Sequence, residues 1–497
     1  MIFLGIDCGT QSTKTVALDL ESGRILASAQ KPYGFVSGLA PGEMEQNPKD
    51  WIDAAGETIS SVLGQLGGRK SEVRGIGVSG QQHGLVVLDE AGEVIRPAKL
   101  WCDTSTVPQC EAITVRLGGT PRVISLVGNA MLPGYTAPKI LWLRDNEPEN
   151  WARTRTILLP HDYLNYWLTG ESRMEYGDAS GTALLDVTTR EWSQPVLNSI
   201  DSDLAAKLPE LRSSLQPAGK LRATLARQWG LDDSVLVSAG GGDNMMGAIG
   251  TGNVSSGVVT ASLGTSGTLY AFSEKPVVDP QGEVAAFCDS TDHWLPLVCT
   301  MNVTLVTELV REMFDWDHSS FNDRVASIPA GADGLLLLPY LTGERTPNLP
   351  DGCGVLHGLT TRNFTPVHLA RAAVEGVTLG LGYGLQRFRE LGVTPTEIRL
   401  TGGGSNSPAW RQVCADVFGV PVVCLQTGEG AGLGAALQAA WTFDREQGSD
   451  ASLADLADSV VKVDPSTRAE PRDSAVHREQ LARMRDLRNA LTRSNLL

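Results

Sequence analysis

The sequence predicts an α/β protein made of two similar halves. Apolar strand-like runs and helical segments alternate along both halves of its 497 residues, and this alternation is typical of α/β folds. One design also occurs twice, because residues 2–20 and 258–272 each contain two apolar runs joined by a turn rich in Gly, Thr and Ser. Repetition of this kind indicates duplication. We therefore expect two domains, residues 1–248 and 249–497, divided in a glycine-rich stretch.

The first half is expected to open with strands. Short apolar runs between turn residues predict strands, and longer segments with helical spacing predict helices. Along the chain, the expected strands are 2–6, 15–20, 25–30, 73–79, 85–88 and 234–239, and the expected helices are 48–66, 139–144 and 162–168.

The second half repeats the opening hairpin and then alternates strictly. By the same criteria, the expected strands are 258–262, 268–272, 335–338, 398–401 and 420–425, and the expected helices are 366–385, 408–418 and 432–440. The charged segment after about residue 470 predicts a further helix on the surface.

Charge and composition restrict the partners. The chain holds 41 Lys and Arg against 57 Asp and Glu, a formal net charge of −16, without any basic block. Nucleic acid and anionic membranes are therefore not expected as partners. No apolar run is long enough for a membrane span, and the first residues lack the basic leader of a signal peptide. The 8 Cys form no CxxC pair, so we expect a cytoplasmic protein without structural zinc that binds small molecules.

The opening hairpin is a candidate phosphate site. Asp7 ends an apolar run, and the following turn, Cys8–Lys14, offers glycine N–H groups, hydroxyls and a lysine. Such a turn can wrap a phosphate while the carboxylate holds a hydrated Mg²⁺, although a plain hairpin turn would also fit. Its repeat at Gly264–Gly267 favours two hairpins that clamp a polyphosphate from both sides.

Two further glycine loops end predicted strands. Gly240–Asn244 places Asp243 at the start of a helix, where it is either a helix cap or, together with Asp7, part of the carboxylate pair that phosphoryl transfer needs. Thr401–Asn406 precedes a helix whose N-terminus could receive an adenosine or α-phosphate group, although a plain loop would also fit.

Other patterns are weaker. No P-loop motif occurs, so a P-loop nucleoside triphosphatase is excluded. Gly430–Ala435 fits a dinucleotide-binding fingerprint superficially, but close helix packing through small residues is the favoured interpretation. Gln82 and His83 stand near Trp101 in the sequence, and polar groups beside an aromatic surface suit a polyol site, whereas a lone histidine is usually structural.

Two long segments, Gly134–Asn146 and Gly354–Glu375, resemble signatures of the FGGY carbohydrate kinases. With the loops described above, the resemblance covers roughly residues 2–440. It implies an α/β fold of two actin-like (ribonuclease-H-like) ATPase domains with ATP and sugar in the cleft between them. Within this family the chain looks most like the xylulokinases, through the segments Gln82–Gly84, Trp101–Asp103, Gly240–Asn244 and Gly343–Pro347.

The resemblance also implies roles for individual residues. Asp243 would take the proton of the sugar's terminal 5-hydroxyl, and Asp7 and Asp243 would lie near Mg²⁺. The implied sugar ligands are Gln82, His83, Trp101, Asp103 and Asn244. The implied ATP ligands are Thr10, Ser12, Lys14, Gly264, Thr265, Gly403, Gly404 and either Asn406 or Ser407.

The implied reaction is ATP-dependent phosphorylation of D-xylulose. A homodimer is possible, since the sequence does not reveal the oligomeric state. Two departures affect the choice of sugar. Many bacterial xylulokinases have Met where this chain has Gln82, and the arginine that animal-type enzymes use against the sugar falls near Met131. Ribulose, gluconate or glycerol therefore remain alternative substrates, and an actin-like ATP-switched protein remains the alternative from another class.

Overall fold

A computed structural model describes residues 1–497. The strands of the first half are β1 (Ile2–Cys8), β2 (Ser12–Asp19), β3 (Arg24–Pro32), β4 (Glu45–Gln46), β5 (Val73–Gly80), β6 (Val86–Leu88), β7 (Ala98–Lys99), β8 (Thr156–Leu158), β9 (Arg173–Glu175), β10 (Leu185–Asp186), β11 (Glu191–Trp192), β12 (Glu210–Arg212), β13 (Gly219–Lys220), β14 (Leu236–Val237) and β15 (Gly241–Gly242). Its helices are α1 (Pro48–Leu66), α2 (Val107–Leu117), α3 (Thr120–Val127), α4 (Thr136–Asn146), α5 (Pro148–Arg153), α6 (Pro160–Thr169), α7 (Tyr176–Ser180), α8 (Gln194–Ile200), α9 (Ala223–Trp229) and α10 (Asp243–Gly250).

The second half contains fewer and longer elements. Its strands are β16 (Val258–Leu263), β17 (Gly267–Ala271), β18 (Leu297–Thr300), β19 (Leu336–Pro339), β20 (Gly354–His357), β21 (Glu397–Thr401), β22 (Val422–Leu425) and β23 (Val463–Ala469). Its helices are α11 (Thr304–Met313), α12 (His318–Ser327), α13 (Pro366–Glu390), α14 (Pro408–Phe418), α15 (Ala431–Glu446), α16 (Leu453–Val460) and α17 (Ser474–Arg493). Short 3₁₀ turns lie at Gly67–Glu72, Leu204–Lys207, Ala332–Gly334 and Gly403–Asn406.

Each half is organised around one mixed sheet. The first sheet has the order β13-β14-β5-β1-β2-β3, with β15 also paired to β5, and the second has the order β18-β17-β16-β21-β22-β23. In both sheets an antiparallel hairpin, β1–β2 or β16–β17, pairs in parallel with a later strand, β5 or β21. The hairpin turns and the carboxyl ends of these later strands therefore lie at the same edge, where open α/β sheets bind ligands.

The two halves exchange helices. α10 follows the first sheet, yet Thr251 just after it bonds Thr260 of β16 (Oγ1–Oγ1, 2.6 Å). α15 follows the second sheet but packs on the first, where a Cβ on Gly5 would overlap the carbonyl oxygen of Gly432. The two helices also touch each other so closely that a Cβ on Gly434 would overlap the carbonyl of Met246. The glycines of Gly430–Ala435 therefore serve helix packing, as the favoured interpretation of that pattern expected.

Local sequence accounts for the helix ends. Asn47 caps α1 by accepting the Lys49 N–H at 3.0 Å, and Pro48 occupies the first turn, where a missing N–H costs nothing. The helix ends at Gly67, whose φ of 56° favours glycine. These signals explain why the predicted range 48–66 matches the observed helix.

Two expectations differ from the structure. The expected strand 234–239 is wrong in extent, because only Leu236–Val237 is strand and Gly240, at φ 71°, turns the chain before β15. The expected surface helix near the C-terminus is only partly exposed. His477, Gln480 and Met484 on one face of α17 are buried, since the first two contact the buried carboxylate of Glu375. None of the helices combines the length and apolarity that crossing a bilayer requires.

Candidate active site

A cavity of about 1240 Å³ lies between the facing edges of the two sheets. Both halves line it, with Asp7 and Asp243 on one side and Ser266 and Gly403 on the other. Pockets for one small ligand usually enclose about 300–1,000 Å³. The cavity is therefore large enough to take two ligands side by side.

Asp7 and Asp243 stand on the first-half side of this cavity. Asp7 is near the end of β1, and its Oδ1 accepts a hydrogen bond from Ser79 Oγ at 2.9 Å. Burial raises the pKa of Asp7, and the charge of Glu429 adds to this effect. Burial also raises the pKa of Asp243 to about 7, helped by the charges of Asp7 and Asp178. A carboxylate with a pKa near neutrality is suited to accept a proton from a hydroxyl.

Asp243 is the first residue of α10 and is not its cap. The cap position is occupied by Gly242, and Asp243 Oδ1 accepts only from the backbone and side-chain amide of Asn244, at 2.8 and 3.0 Å. Its other carboxylate oxygen has no hydrogen bond within the protein. The alternative interpretation of Asp243 as a helix cap is therefore wrong, and its side chain is available to a ligand.

The expected sugar ligands form one wall beside Asp243. Gln82 Oε1 accepts from Asn244 Nδ2 at 2.8 Å, so these two amides hold each other in place. The His83 ring packs against Tyr135 and Phe287, with centroids 5.0 and 5.7 Å away. Burial, with the positive charges of Lys139 and Arg345, holds the pKa of His83 well below its usual value. His83 is therefore a neutral imidazole, and its buried Nδ1 has no hydrogen-bond partner in the protein.

Trp101 and Asp103 also line the cavity, but protein groups already engage them. Trp101 Nε1 donates to the hydroxyl of Thr10 at 2.9 Å. Asp103 is fully buried and accepts from Met44 N at 2.9 Å and from Lys99 Nζ at 3.1 Å. Ser105 bonds its second oxygen. Asp103 thus fixes the segment that carries Trp101 and presents no free oxygen of its own.

Protein partners also hold the side chains of the β1–β2 turn. The Thr10 hydroxyl donates to Gln81 Oε1 at 3.2 Å, and Ser12 Oγ accepts from Gln30 Nε2 at 2.7 Å. Lys14 forms an ion pair with Glu429, which belongs to the second half. Thr10, Ser12 and Lys14 are not among the lining residues, and Gly9 lines the cavity at this turn.

The β16–β17 turn is held through its backbone. The carbonyl groups of Gly264 and Thr265 accept hydrogen bonds from Thr304 N and Val303 N, at 2.9 and 3.0 Å. Gly264 and Thr265 lie next to the lining residue Ser266 but do not line the cavity themselves. The turn is thereby fixed against the start of α11 while its hydroxyls stay without protein partners.

The glycine loop after β21 forms the floor of the second-half side. Gly403 has open space where a Cβ would stand, whereas a Cβ on Gly404 would press on Leu263 and Trp410 at 3.0 Å. Gly403 and Asn406 line the cavity, and Gly404 packs below it. The Ser407 hydroxyl caps α14 by accepting Trp410 N at 3.1 Å. Asn322 Oδ1 accepts Ala409 N at 3.2 Å and Pro408 has no N–H, so the first turn of α14 has no free donor for a phosphate.

Comparison with known proteins decides the family. The family models for the N-terminal and C-terminal domains of the FGGY family of carbohydrate kinases match residues 2–250 and 259–443. The chain belongs to the FGGY family of carbohydrate kinases. It is 42% identical to a xylulose kinase from Haemophilus influenzae over 487 residues, covering 97% of this chain and 98% of that protein.

Two solved kinase structures have the same architecture. A xyloylose kinase from Brucella ovis is similar with a TM-score of 0.92 and 31% identity, over 99% of both chains. A gluconate kinase from Lactobacillus acidophilus is similar with a TM-score of 0.90 and 25% identity, over 99% of this chain and 98% of that one. The expected family membership and actin-like two-domain fold are confirmed.

Sequence reasoning gave no role to several residues that line this FGGY kinase's cavity. Tyr135 and Arg345 lie within segments that carried the family resemblance, so that pattern contained a signal for them. Phe287 lies outside any recognised motif, and no sequence signal places it beside His83.

Proposed function

We propose that this protein transfers the γ-phosphoryl group of ATP to the 5-hydroxyl of D-xylulose. The names of its similar relatives support this substrate. The observation that carries the proposal is the position of Asp243, whose pKa is about 7 and which Asn244 connects to the amide of Gln82. A proton acceptor thus lies directly beside the polar wall that would hold a sugar.

In this proposal Asp243 accepts the proton of the 5-hydroxyl as its oxygen attacks the γ-phosphorus atom. The new bond joins the sugar oxygen to phosphorus, the bond from phosphorus to the β,γ-bridging oxygen breaks, and ADP leaves with that electron pair. Gln82, His83 and Asn244 orient the sugar, with Trp101 and Asp103 shaping the wall behind them. Alignment of the two reactants supplies much of the rate increase, and proton removal adds to it.

The nucleotide would lie between the two hairpins, along the β16–β17 turn and the glycine loop. At the β1–β2 turn Gly9 lines the cavity, and Thr10, Ser12 and Lys14 would bind the phosphates on leaving their present protein partners. Gly264 and Thr265 would face the phosphates from the other side, with Gly403, Gly404 and Asn406 around the adenosine. Residues 1–248 thus bind the sugar and residues 249–497 bind most of the nucleotide.

The carboxylates fit Mg²⁺, which takes one or two protein carboxylates together with substrate phosphates. Asp7 and Asp243 each keep one oxygen free of protein hydrogen bonds, and no further acidic, histidine or cysteine side chain completes a metal cage around them. Mg²⁺ would neutralise phosphate charge in the reaction. Asp7 would hold it near the γ-phosphate.

A coupled ADP-release assay with Mg-ATP and a panel of pentuloses, polyols and sugar acids tests this proposal. We expect the highest kcat/KM for D-xylulose, with little ADP release when no sugar is added. Preference for gluconate, ribulose or glycerol would contradict the assignment of D-xylulose as the substrate but would leave the assignment as a kinase intact. ADP release indifferent to every sugar but stimulated by a protein would overturn the kinase and favour an ATP-switched protein.

A further inference from the structure

Arg345 belongs to the second half but reaches the sugar wall of the first half. It lies in the loop between β19 and β20, and its Nη2 is 3.9 Å from where a Cβ on Gly134 would stand. Gly134 directly precedes Tyr135, against which the His83 ring packs. The guanidinium of Arg345 therefore comes from the second half and lies beside the sugar wall of the first half.

The backbone around Arg345 is firmly held. The buried carboxylate of Glu344 accepts from Met301 N at 2.6 Å and from Arg345 N at 2.9 Å. On the other side, Thr346 Oγ1 donates to the carbonyl of Glu283 at 2.8 Å. The loop thus presents its arginine from a fixed base.

The guanidinium itself is almost without partners. Arg345 makes no salt bridge, and its only side-chain hydrogen bond is a long contact to Cys299 Sγ at 3.9 Å. Arg411 also lines the cavity, but its guanidinium donates to the carbonyls of Ser405 and Asn406. Arg345 is therefore the strong cationic donor that remains free for a ligand at the sugar wall.

The first half supplies no equivalent donor there. Lys139 lies behind this wall, but its ammonium donates to the carbonyls of His83 and Gly134. Met131, which adjoins the lining residues Ala130 and Leu132, is a buried apolar side chain and offers no donor. A ligand oxygen at this end of the wall would meet a charged donor only from across the cavity.

Contacts along the wall order its residues. Asp243 bonds Asn244, Asn244 bonds Gln82, the next residue His83 packs on Tyr135, and Arg345 lies beside Gly134. Arg345 is thus at the opposite end of this series from Asp243. A sugar whose 5-hydroxyl lies at Asp243 would extend its first carbons towards Arg345.

We propose that Arg345 binds the C2 carbonyl and C1 hydroxyl of the ketose and determines specificity at that end of the substrate. The planar guanidinium fork can donate to two neighbouring oxygens at once. Because Arg345 comes from the opposite half, the bound sugar joins the two walls. This role rests on the proposed function and adds a contact from the second half to a site whose other sugar ligands all belong to the first.

Kinetics of Arg345→Ala and Arg345→Lys test the role. We expect the KM for D-xylulose to rise about 10- to 100-fold in Arg345→Ala, as for loss of a hydrogen bond to a charged group, and less in Arg345→Lys. The KM for ATP and the kcat should each change by less than about threefold, because the contact is made in ground and transition states alike. The matched control is Arg362→Ala, an exposed arginine of the second half away from the cavity, which should leave the KM for sugar unchanged.

A second sugar separates contact from a structural effect. The wild type should bind 1-deoxy-D-xylulose, which lacks the C1 hydroxyl, several-fold more weakly than D-xylulose in calorimetric titrations. In Arg345→Ala the two sugars should bind alike, whereas a merely structural role would preserve their ratio. A preserved ratio, or an unchanged sugar KM in Arg345→Ala, would overturn the role of Arg345 alone. Failure of the wild type to phosphorylate D-xylulose would overturn the proposed function and the assignment to C1 and C2 with it.

Discussion

The two walls of the cavity are built in different ways. On the first-half wall, the lining side chains of Gln82, Trp101 and Asp103 are already hydrogen-bonded to protein groups. On the second-half wall, the hydroxyl of Ser266 has no protein partner and Gly403 has open space where a Cβ would stand. Hydrogen-bonded side chains are fixed before a reaction begins, whereas glycines let a ligand approach the backbone closely. Under the proposed function, the first wall would perform the chemistry and the second would mainly accommodate the nucleotide.

Removing the proton acceptor of the first wall should have the largest effect. Asp243→Asn keeps the shape and the bond to Asn244 but cannot accept a proton, so kcat should fall about 10²- to 10⁴-fold while D-xylulose still binds. Steady-state kinetics and calorimetry measure the two quantities. Asp233→Asn, in an exposed loop, is the matched control with unchanged kcat. Near-normal turnover by Asp243→Asn would show that the first wall does not supply the base.

Asp243 should also determine how the activity of the enzyme falls at acidic pH. Because Asp243 acts as a base only when deprotonated and its pKa is about 7, kcat/KM should fall roughly tenfold per pH unit below that value. No group of the second wall is expected to cause this decrease. The residual kcat/KM of Asp243→Asn should therefore not decrease below pH 7. A profile flat down to pH 5 would contradict this assignment.

The same pKa predicts an effect on stability. The folded protein holds a proton on Asp243 more tightly than the unfolded chain, so between about pH 4 and 7 its free energy of unfolding should decrease as pH rises. Asp243→Asn removes this term, and its Tm at pH 8 should exceed that of the wild type by a few degrees. Equal Tm values at pH 8 would indicate that Asp243 ionises without cost.

Filling the second wall should affect nucleotide more than sugar. Gly403→Val places a side chain in open space beside the expected adenosine, so the KM for ATP should rise at least about tenfold, or 1.4 kcal/mol, with the KM for D-xylulose little changed. Gly68→Val, which also meets open space but lies outside the cavity, controls for the glycine change itself. An equal rise in both KM values would remove the distinction between the walls.

The smallest expected effect lies where the walls meet. Lys14 of the first half is paired with Glu429 of the second half, and phosphates that bind Lys14 must compete with this carboxylate. Because both side chains are partly exposed, the pair contributes about 0.2–1 kcal/mol, so Glu429→Gln should tighten ATP binding by about 1.4- to 5-fold. In the Lys14→Met background Glu429→Gln should have no effect on the Kd for ATP. An equal gain in both backgrounds would mean that Glu429 acts without Lys14.

Local signals allowed much of the fold to be predicted. Caps and prolines placed Pro48–Leu66 and Pro408–Phe418 correctly, and the repeated hairpin predicted two related sheets. The approach of Arg345 to Gly134 was not predictable, since it depends on how the halves pack across the cavity. The same holds for the pairing of Lys14 with Glu429, which are 415 residues apart.

The sequence predicted which residues lie around one cavity, but not the hydrogen bonds that these residues make. Asp7, Gln82, His83 and Asp243 do line one cavity. The hydrogen bonds that engage Asp103 come from Met44 and Lys99, and no residue pattern reveals that a carboxylate is already satisfied.

The exchanged helices bear on how this chain can be divided. Leu433, Ala436 and Leu437 of α15 share a buried core with Phe3 and Leu18 of the first sheet. A fragment ending near residue 248 would leave that apolar face in water, so it should aggregate on expression. Co-expression of the remaining residues as a second polypeptide should restore a soluble complex, because that polypeptide carries α15, which covers the apolar face. We therefore expect the two interlocked halves to unfold together as one cooperative unit.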